Sequence, residues 1–171
     1  MISIKSIRIA LPMSLVLLGM SACGRKETIA DRVVMAKEGN KNLDAAIETA
    51  KAELPLFWNR LDNQRPGDDV FAVKVSIHDS NGYEYFWLAD IKKTGDSVSG
   101  VIDQQAQIVK CVRINQRIQV SVSEVVDWLF MSNGKMKGNF TTRALINDIP
   151  KADRDQLIQL FDKNPSIRGG A

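Results

Sequence analysis

Alternating residues from Phe71 to Asp79, followed by a turn and a second such run, constrain the fold most strongly. In "FAVKVSIHD" the larger apolar side chains occupy every second position, which is typical of a strand with one buried face. Asn81-Gly82 tolerate the positive φ of a tight turn, and "YEYFWLADIKK" follows as a return strand. The sequence therefore predicts an antiparallel β-hairpin.

The length of the hairpin loop sets which residues pair. A two-residue loop pairs His78 with Tyr85, Ser76 with Trp87 and Val75 with Leu88, and a four-residue loop shifts the partners by two residues. Both alternatives place the same side chains on the face opposite the core. Exposed aromatic side chains often mark contact sites, so we predict a candidate binding surface formed by Lys74, Ser76, His78, Tyr83, Tyr85 and Trp87. The alternative is that the hairpin from Asp127 to Phe140 covers these rings as a second small core.

Helical spacing of apolar residues predicts a helix over residues 42–63, with Asn42 as its N-cap and a kink or break at Pro55. A C-terminal helix is predicted between Pro150 and Pro165, with Leu157, Ile158 and Phe161 as its apolar stripe.

Further strands are expected between these helices. We predict a third strand from Val98 to Ile102, one or two strands within residues 107–122, and a second hairpin turn at Asn133-Gly134. Residues 141–148 fit either a strand or a short helix. Together these patterns predict an α+β fold, with an antiparallel sheet of about five strands and helices packed on one face.

The N-terminal segment has the pattern of an export signal. Lys5 and Arg8 precede a short apolar run that ends at Met20, and that run is too short to span a bilayer. Met20-Ser21-Ala22-Cys23 resembles the bacterial lipobox, which implies cleavage before Cys23 and its acylation. Gly24, rather than an aspartate, follows Cys23, as in lipoproteins that are sent to the outer membrane. We therefore predict a signal peptide over 1–22, a tether over 23–41, one domain over 42–165 and a tail over 166–171.

Removal of this leader changes the charge of the protein. Two of the 23 basic residues lie in the leader and all 20 acidic residues follow it, so the net charge falls from +3 to +1. Nucleic-acid binding needs clustered lysine and arginine, and we predict no such partner.

Several short motifs between Phe71 and Leu145 resemble the YegJ-like family, a bacterial domain of unknown function. The motifs are Phe71-x-Val73-Lys74, Glu84-x-Phe86-Trp87-Leu88, Asp127-Trp128, Gly134-Lys135 and Gly138-x-Phe140-Thr141. The resemblance supports the predicted domain. It implies no catalytic residue, because the family has no assigned activity.

The sequence contains no recognisable catalytic or metal-binding pattern. His78 is the single histidine and is expected to be exposed, and Cys111 is expected to be a small buried residue in a strand. We predict no cofactor and no metal site. Glu84, Asp90 and Asp127 could act as paired carboxylates only if folding brought them together.

These observations favour a lipid-anchored protein of the periplasmic side of the outer membrane. Its predicted partners are the membrane, through the anchor, and an envelope protein or peptide. We predict a non-catalytic binding or accessory module. The alternatives are a hydrolase with a carboxylate-based site and an immunity-like protein that blocks a toxin.

Overall fold

The computed structural model describes residues 40–168, and the predicted leader and Cys23 lie outside them. The helices are α1 (Lys41–Asp62), α2 (Phe140–Ala144) and α3 (Lys151–Leu160), and two 3-10 turns cover Val122–Glu124 and Ile146–Asp148. The strands are β1 (Asp68–Asp79), β2 (Gly82–Thr94), β3 (Ser97–Ile102), β4 (Arg117–Ser121), β5 (Val125–Ser132) and β6 (Lys135–Gly138). These strands form one antiparallel sheet in the order β4-β3-β2-β1-β5-β6. The predicted α+β class is confirmed, with six strands where about five were expected.

Helix α1 is continuous through Pro55, so the predicted break into two short helices is wrong. Pro55 lies on the exposed side of the helix, whereas Leu54, Phe57 and Trp58 are buried. Their burial stabilises each side of the proline and offsets the lost hydrogen bond. The N-cap is Asn40 rather than Asn42, because its side-chain oxygen accepts hydrogen bonds from the amides of Asn42 and Leu43.

The β1–β2 hairpin has its turn one residue earlier than the sequence suggested. Asp79 pairs with Gly82, so Val75 faces Phe86 and Ser76 faces Tyr85. The Asp79 carboxylate accepts a hydrogen bond from the amide of Asn81, 2.7 Å away, which fixes the turn at residues 80 and 81. The partners are therefore shifted by two residues from the first alternative, as the second alternative allowed, although the loop has two residues rather than four. The side chains lie on the predicted faces.

One face of the sheet carries the main core. Val73, Val75, Phe86 and Leu88 pack there against α1, together with apolar residues of β3 and β5. The ring of Phe57 stacks on that of Trp128 with centroids 5.3 Å apart, and the Trp128 indole donates a hydrogen bond to the Ala50 carbonyl. These contacts fix α1 across β5.

Residues 103–116 form a long connection without strands. One strand, β4, forms within the stretch expected to hold one or two. The expectation that Cys111 is a small buried residue in a strand is wrong, because Cys111 is exposed in this connection. The buried carboxylate of Glu84 accepts hydrogen bonds from the amides of Gln107, Ile108 and Val109. These side chain–backbone bonds replace a strand ladder, so alternation alone gives the wrong structure here.

The C-terminal residues pack back onto α1. Ser166 Oγ and the amide of Ile167 donate hydrogen bonds to the buried carboxylate of Glu53, at 2.7 and 3.1 Å. In α3, Leu157 is buried whereas Ile158 is exposed, so the predicted apolar stripe is only partly buried. The predicted domain boundaries stay predictions.

Candidate cleft and its buried polar neighbourhood

A cleft opens on the sheet where β1 and β2 stop pairing. Their ladder runs from Asp79 and Gly82 to Val73 and Leu88, and beyond that point β1 continues beside β5 while β2 continues beside β3. The cavity has a volume of about 730 Å³, within the usual range for ligand sites. Most of the residues that line it are apolar, and they include Phe71, Ala72, Trp87, Ile91, Leu129 and Met136.

The two strands that border the cleft have strained backbones at matching positions. Val70 has a φ of 52° and Asp90 has a φ of 48°, and each lies in an irregularity of its strand. A β-branched residue rarely adopts a positive φ, and such residues cost on the order of 1–3 kcal/mol each. Val70 is also 64% exposed, so burial of its side chain does not offset this cost. Strain of this kind concentrates at functional sites.

A glycine on β3 makes the irregularity in β2 sterically feasible. A Cβ atom at Gly100 would lie 2.8 Å from the Leu88 Cβ and 2.9 Å from the Ala89 carbonyl oxygen. Any other residue would therefore push β3 away from β2 beside the cleft.

All the charged residues that line the cleft are acidic. They are Asp68, Asp69, Asp90 and Asp103. The Arg60 guanidinium binds the Asp68 carboxylate through Nε and Nη2, and Arg117 forms an ion pair with Asp90. Burial alone would raise the pKa of the Asp68 carboxyl, but its hydrogen bonds with Arg60, Arg65 and Ser132 lower it overall. The Asp69 side chain is exposed, so the cleft presents negative charge at its margin.

A buried lysine lies next to the wall of the cleft that Trp87 forms. Lys74 is 2% exposed, and its ammonium lies 4.7 Å from the centroid of the Trp87 ring. Its Nζ donates a 2.7 Å hydrogen bond to Thr141 Oγ1. Burial lowers the pKa of Lys74 to about 8, and the nearby Asp127 carboxylate opposes this shift.

Thr141 links this lysine to a buried carboxylate. The Thr141 hydroxyl donates to Asp127 Oδ2 at 2.6 Å, and the amides of Trp128 and Thr141 donate to the same carboxylate, each at 2.8 Å. Asp127 is fully buried, and this burial raises its pKa even though Lys74 and Thr141 oppose the shift. The result is a closed polar cluster of Lys74, Thr141 and Asp127.

Gly138 allows the chain to reach this cluster. It has a φ of 68°, and a Cβ atom there would overlap the Trp128 carbonyl oxygen and ring. The amide of Asn139 donates to that same carbonyl, and α2 then begins with Phe140. A close backbone approach between β5 and the β6–α2 connection thus places Thr141 over Asp127.

A comparison with protein families identifies the family of this chain. Residues 40–162 match the family described as "Uncharacterized protein conserved in bacteria (DUF2314)". The chain belongs to this family.

Two relatives agree with the resemblance seen in the motifs. The chain is 28% identical over 129 residues to the uncharacterized protein YegJ of Escherichia coli (strain K12), across 75% of this chain and 83% of that protein. It is 24% identical over 132 residues to a Neisseria meningitidis serogroup B protein named "Putative ankyrin repeat protein NMB1133/NMB1171", across 72% of this chain and 52% of that protein. No solved structure matches the chain. The prediction of a YegJ-like domain of unknown function is confirmed.

The motif residues of this DUF2314 protein converge in the structure. Lys74, Trp87, Asp127 and Thr141 come from four separate motifs, and they meet around one ammonium group. The motifs therefore contribute to one packed unit built from β1, β2, β5 and α2.

The predicted binding surface is divided into a covered part and an open part. Trp87 and Lys74 are buried, so the expectation that they are exposed is wrong. Trp87 packs with Ala72, Leu129 and Met136 as a second small core, the alternative that the sequence left open. Ser76, Tyr83 and Tyr85 are half-buried, and His78 is exposed as predicted, with its Nε2 2.9 Å from Ser76 Oγ. A binding role for this face stays a prediction.

The three carboxylates considered for acid–base chemistry occupy different places. Glu84 holds the 103–116 connection, Asp90 lines the cleft, and Asp127 belongs to the buried cluster. Within residues 40–168, no group of three or more potential metal ligands comes together. In the same part of the chain, no helix has both the length and the apolar character needed to cross a membrane.

Proposed function

We propose that this DUF2314 protein is a lipid-anchored accessory module on the periplasmic side of the envelope, where its cleft binds a segment of an envelope protein. The observation that carries the binding role is the apolar cleft beside Trp87, bordered by two strained strands. Apolar concavities with a few polar groups are the usual form of binding sites. The exposed Asp69 carboxylate at its margin favours a segment that carries positive charge.

A binding role fits the arrangement of polar groups better than hydrolysis. A carboxylate-based hydrolase would need two carboxyl groups within one accessible pocket. Of the four carboxylates that line the cleft, Asp68 is bound by Arg60 and Asp90 is ion-paired to Arg117. Asp127 is buried outside the cleft and surrounded by hydrogen-bond donors. An immunity-like role would be a special case of the proposed binding role, in which the bound segment belongs to a toxin.

The anchor is proposed from the lipobox-like residues around Cys23. Three acyl chains would exceed what stable membrane attachment requires. Mass spectrometry of the native protein should find an N-terminal acylated Cys23 and no residues 1–22. Cys23→Ser should release the protein from the membrane fraction, whereas Cys111→Ser should leave it membrane-bound. An intact, unmodified N-terminus in the native protein would contradict the anchor.

The binding role is tested by photo-crosslinking in intact cells. A photoreactive phenylalanine analogue at Met131, which lines the cleft, should capture an envelope protein. The same analogue at Ile158, which is exposed on α3, serves as the control and should capture much less. Equal capture from both positions would contradict a partner site at the cleft.

A further inference from the structure

We infer that the occupant of the cleft is an extended polypeptide segment, apolar and basic in composition, that binds as an added strand beside the exposed parts of β1 and β2. This inference rests on the proposed binding function and specifies the chemistry of its partner. The observations that carry it are the interrupted ladder, the composition of the lining and a buried indole without an acceptor.

The interrupted ladder offers backbone groups to an incoming strand. In a continuous hairpin, Ala72, Phe71 and Val70 would pair in turn with Ala89, Asp90 and Ile91, but the β1–β2 ladder ends at Val73 and Leu88. On its far side each strand is paired on either side of its irregularity, β1 with β5 at Asp69 and Ala72 and β2 with β3 at Ala89 and Lys92, whereas the two residues between these pairs lie outside the ladder. Strand edges that are held rigid on one side are templates for strand addition.

The backbone strain keeps these edges apart. Val70 and Asp90 both have positive φ values, and both lie where the continuous hairpin would have closed. Closing the gap within the protein itself would require both irregularities to be removed. An added strand could pair with either edge without that rearrangement, because the irregularities are already in place.

The lining of the cleft determines which side chains fit. Trp87, Leu129 and Met136 offer apolar contact to alternate side chains of an extended segment. Asp69 is exposed on the β1 side of the cleft, Asp90 on the β2 side is ion-paired with Arg117, and the lining contains no basic residue among those described. A segment that alternates apolar and basic residues is therefore complementary in both shape and charge.

Trp87 adds one polar requirement. Its indole Nε1 is buried, and no atom within the described chain accepts its hydrogen bond. A buried donor without an acceptor is costly, so a small shift of the ring toward a carbonyl oxygen of the occupant would be favourable.

Peptide binding tests this inference directly. The probe is a short fluorescent peptide in which valine alternates with lysine, titrated against the mature chain with fluorescence anisotropy. We expect saturable binding, about tenfold weaker when glutamate replaces every lysine, because the margin of the cleft is acidic. We also expect a loss of about tenfold when alternate backbone nitrogens are methylated, since methylation removes the donors of a strand ladder.

Two pairs of variants locate the site. Ala89→Trp should fill the cleft and weaken peptide binding about tenfold, whereas Ala45→Trp, on the exposed side of α1, should not. Asp69→Lys should weaken binding of the lysine peptide, whereas Asp62→Lys, which is exposed outside the cleft, should not. Circular dichroism and thermal unfolding confirm that each variant is folded.

Specific outcomes would overturn the inference. Unchanged affinity for the methylated peptide would exclude strand pairing, and unchanged affinity of Ala89→Trp would exclude the cleft. A tenfold gain in affinity for the lysine peptide when Val33 and Val34 are replaced by aspartate would show that this segment of the chain itself competes for the cleft. Concentration-dependent dimers that Ala89→Trp abolishes would assign it to a second copy. If the peptides fail to bind but the crosslink at Met131 persists, the proposed function stands and only this strand inference is wrong.

Discussion

At the scale of single residues, Lys74 is the most unusual group in the described chain. Its ammonium is buried against an indole ring and is hydrogen-bonded to a threonine hydroxyl, while the nearest carboxylate is reached through that hydroxyl. Burial of a charged amine is unfavourable, and its pKa is therefore low. Lysine at this position stabilises the fold less than its hydrogen bonds suggest, and it makes the stability sensitive to pH.

Stability should rise with pH across the titration of Lys74. The Lys74 ammonium loses its proton near pH 8 in the folded protein, whereas it keeps that proton to about pH 10.5 in the unfolded chain. Between these pH values the unfolded state therefore binds more protons, and stability increases with pH. We expect the free energy of unfolding to increase by about 2 kcal/mol from pH 7.5 to 9.5. Urea unfolding at several pH values measures this change. Lys74→Met should lack the increase, and an identical pH dependence in this variant would contradict the assignment.

Asp127 should be coupled energetically to Lys74. Asp127→Asn leaves the lysine without its counter-charge and removes an acceptor of the Thr141 hydroxyl, so we expect a loss of about 3 kcal/mol of stability. In a Lys74→Met background the same change should cost at least about 1 kcal/mol less. Denaturant unfolding of the unchanged protein, the two single variants and the double variant gives this difference. If the stability losses of the single variants simply add in the double variant, Lys74 and Asp127 are not coupled. Asp96→Asn, at an exposed turn, is the control and should change stability by less than about 0.5 kcal/mol.

At the scale of elements, the β5–β6–α2 unit depends on one close backbone approach. Gly138→Ala would place a methyl group against the Trp128 carbonyl and ring, and would also force alanine into a positive φ. We expect a loss of about 3 kcal/mol or more. Gly134→Ala has a similar φ of 75° but nothing within 4 Å of the new methyl group, so it should cost only about 1 kcal/mol. Thermal unfolding compares the two variants, and equal losses would show that the contact with Trp128 is unimportant.

The 103–116 connection should depend on the Glu84 carboxylate. Glu84→Gln weakens the bonds accepted from the amides of Gln107, Ile108 and Val109. We expect these amides to exchange with solvent about tenfold faster, because charge-assisted hydrogen bonds are the stronger ones. Hydrogen-exchange mass spectrometry measures this rate, with Glu48→Gln on the exposed side of α1 as the control. Unchanged protection would mean that packing of Val109, rather than Glu84, holds the connection.

Alternation in the sequence predicts which face a side chain takes but not where a strand begins or ends. Phe86 and Leu88 lie on the core face, as predicted, because a shift of two residues preserves the face. The turn itself moved because the Asp79 side chain caps it, an interaction that apolar spacing does not encode. In the same way, the residues around Cys111 have an apolar pattern that is typical of a strand. They are held instead by hydrogen bonds that their backbone amides donate to the carboxylates of Glu84 and Asp79.

At the scale of the whole molecule, the site arises from long-range packing and could be predicted only in part. The motifs include Trp87 and Lys74, but the burial of these two residues depends on Met136 and Thr141, which lie 49 and 67 residues later in the chain. No local pattern indicates that β1 and β2 would separate beyond Val73, since both runs continue as plausible strands. The cleft is therefore visible only once the sheet is assembled.

The proposed role combines this cleft with an attachment to the membrane. A tether over the predicted residues 23–41 would let the domain reach partners away from the lipid surface, because an extended chain of this length would span several nanometres. We expect Cys23→Ser protein to keep its affinity for a partner segment in solution while it loses its effect in cells. Binding measurements on purified protein, beside complementation in a deletion strain, separate the two contributions. Full complementation by the unanchored protein would contradict the need for an anchor.

The proposed binding site depends most on the separation of β1 and β2. Nuclear Overhauser contacts between the backbones of these strands test this separation in solution, on the protein from Cys23 onward. We expect cross-strand contacts for the pairs from Val73–Leu88 to Asp79–Gly82, and none between Phe71 and Asp90 or between Val70 and Ile91. Contacts that continue through these last two pairs would show a closed hairpin, and would contradict the cleft and the binding role built on it.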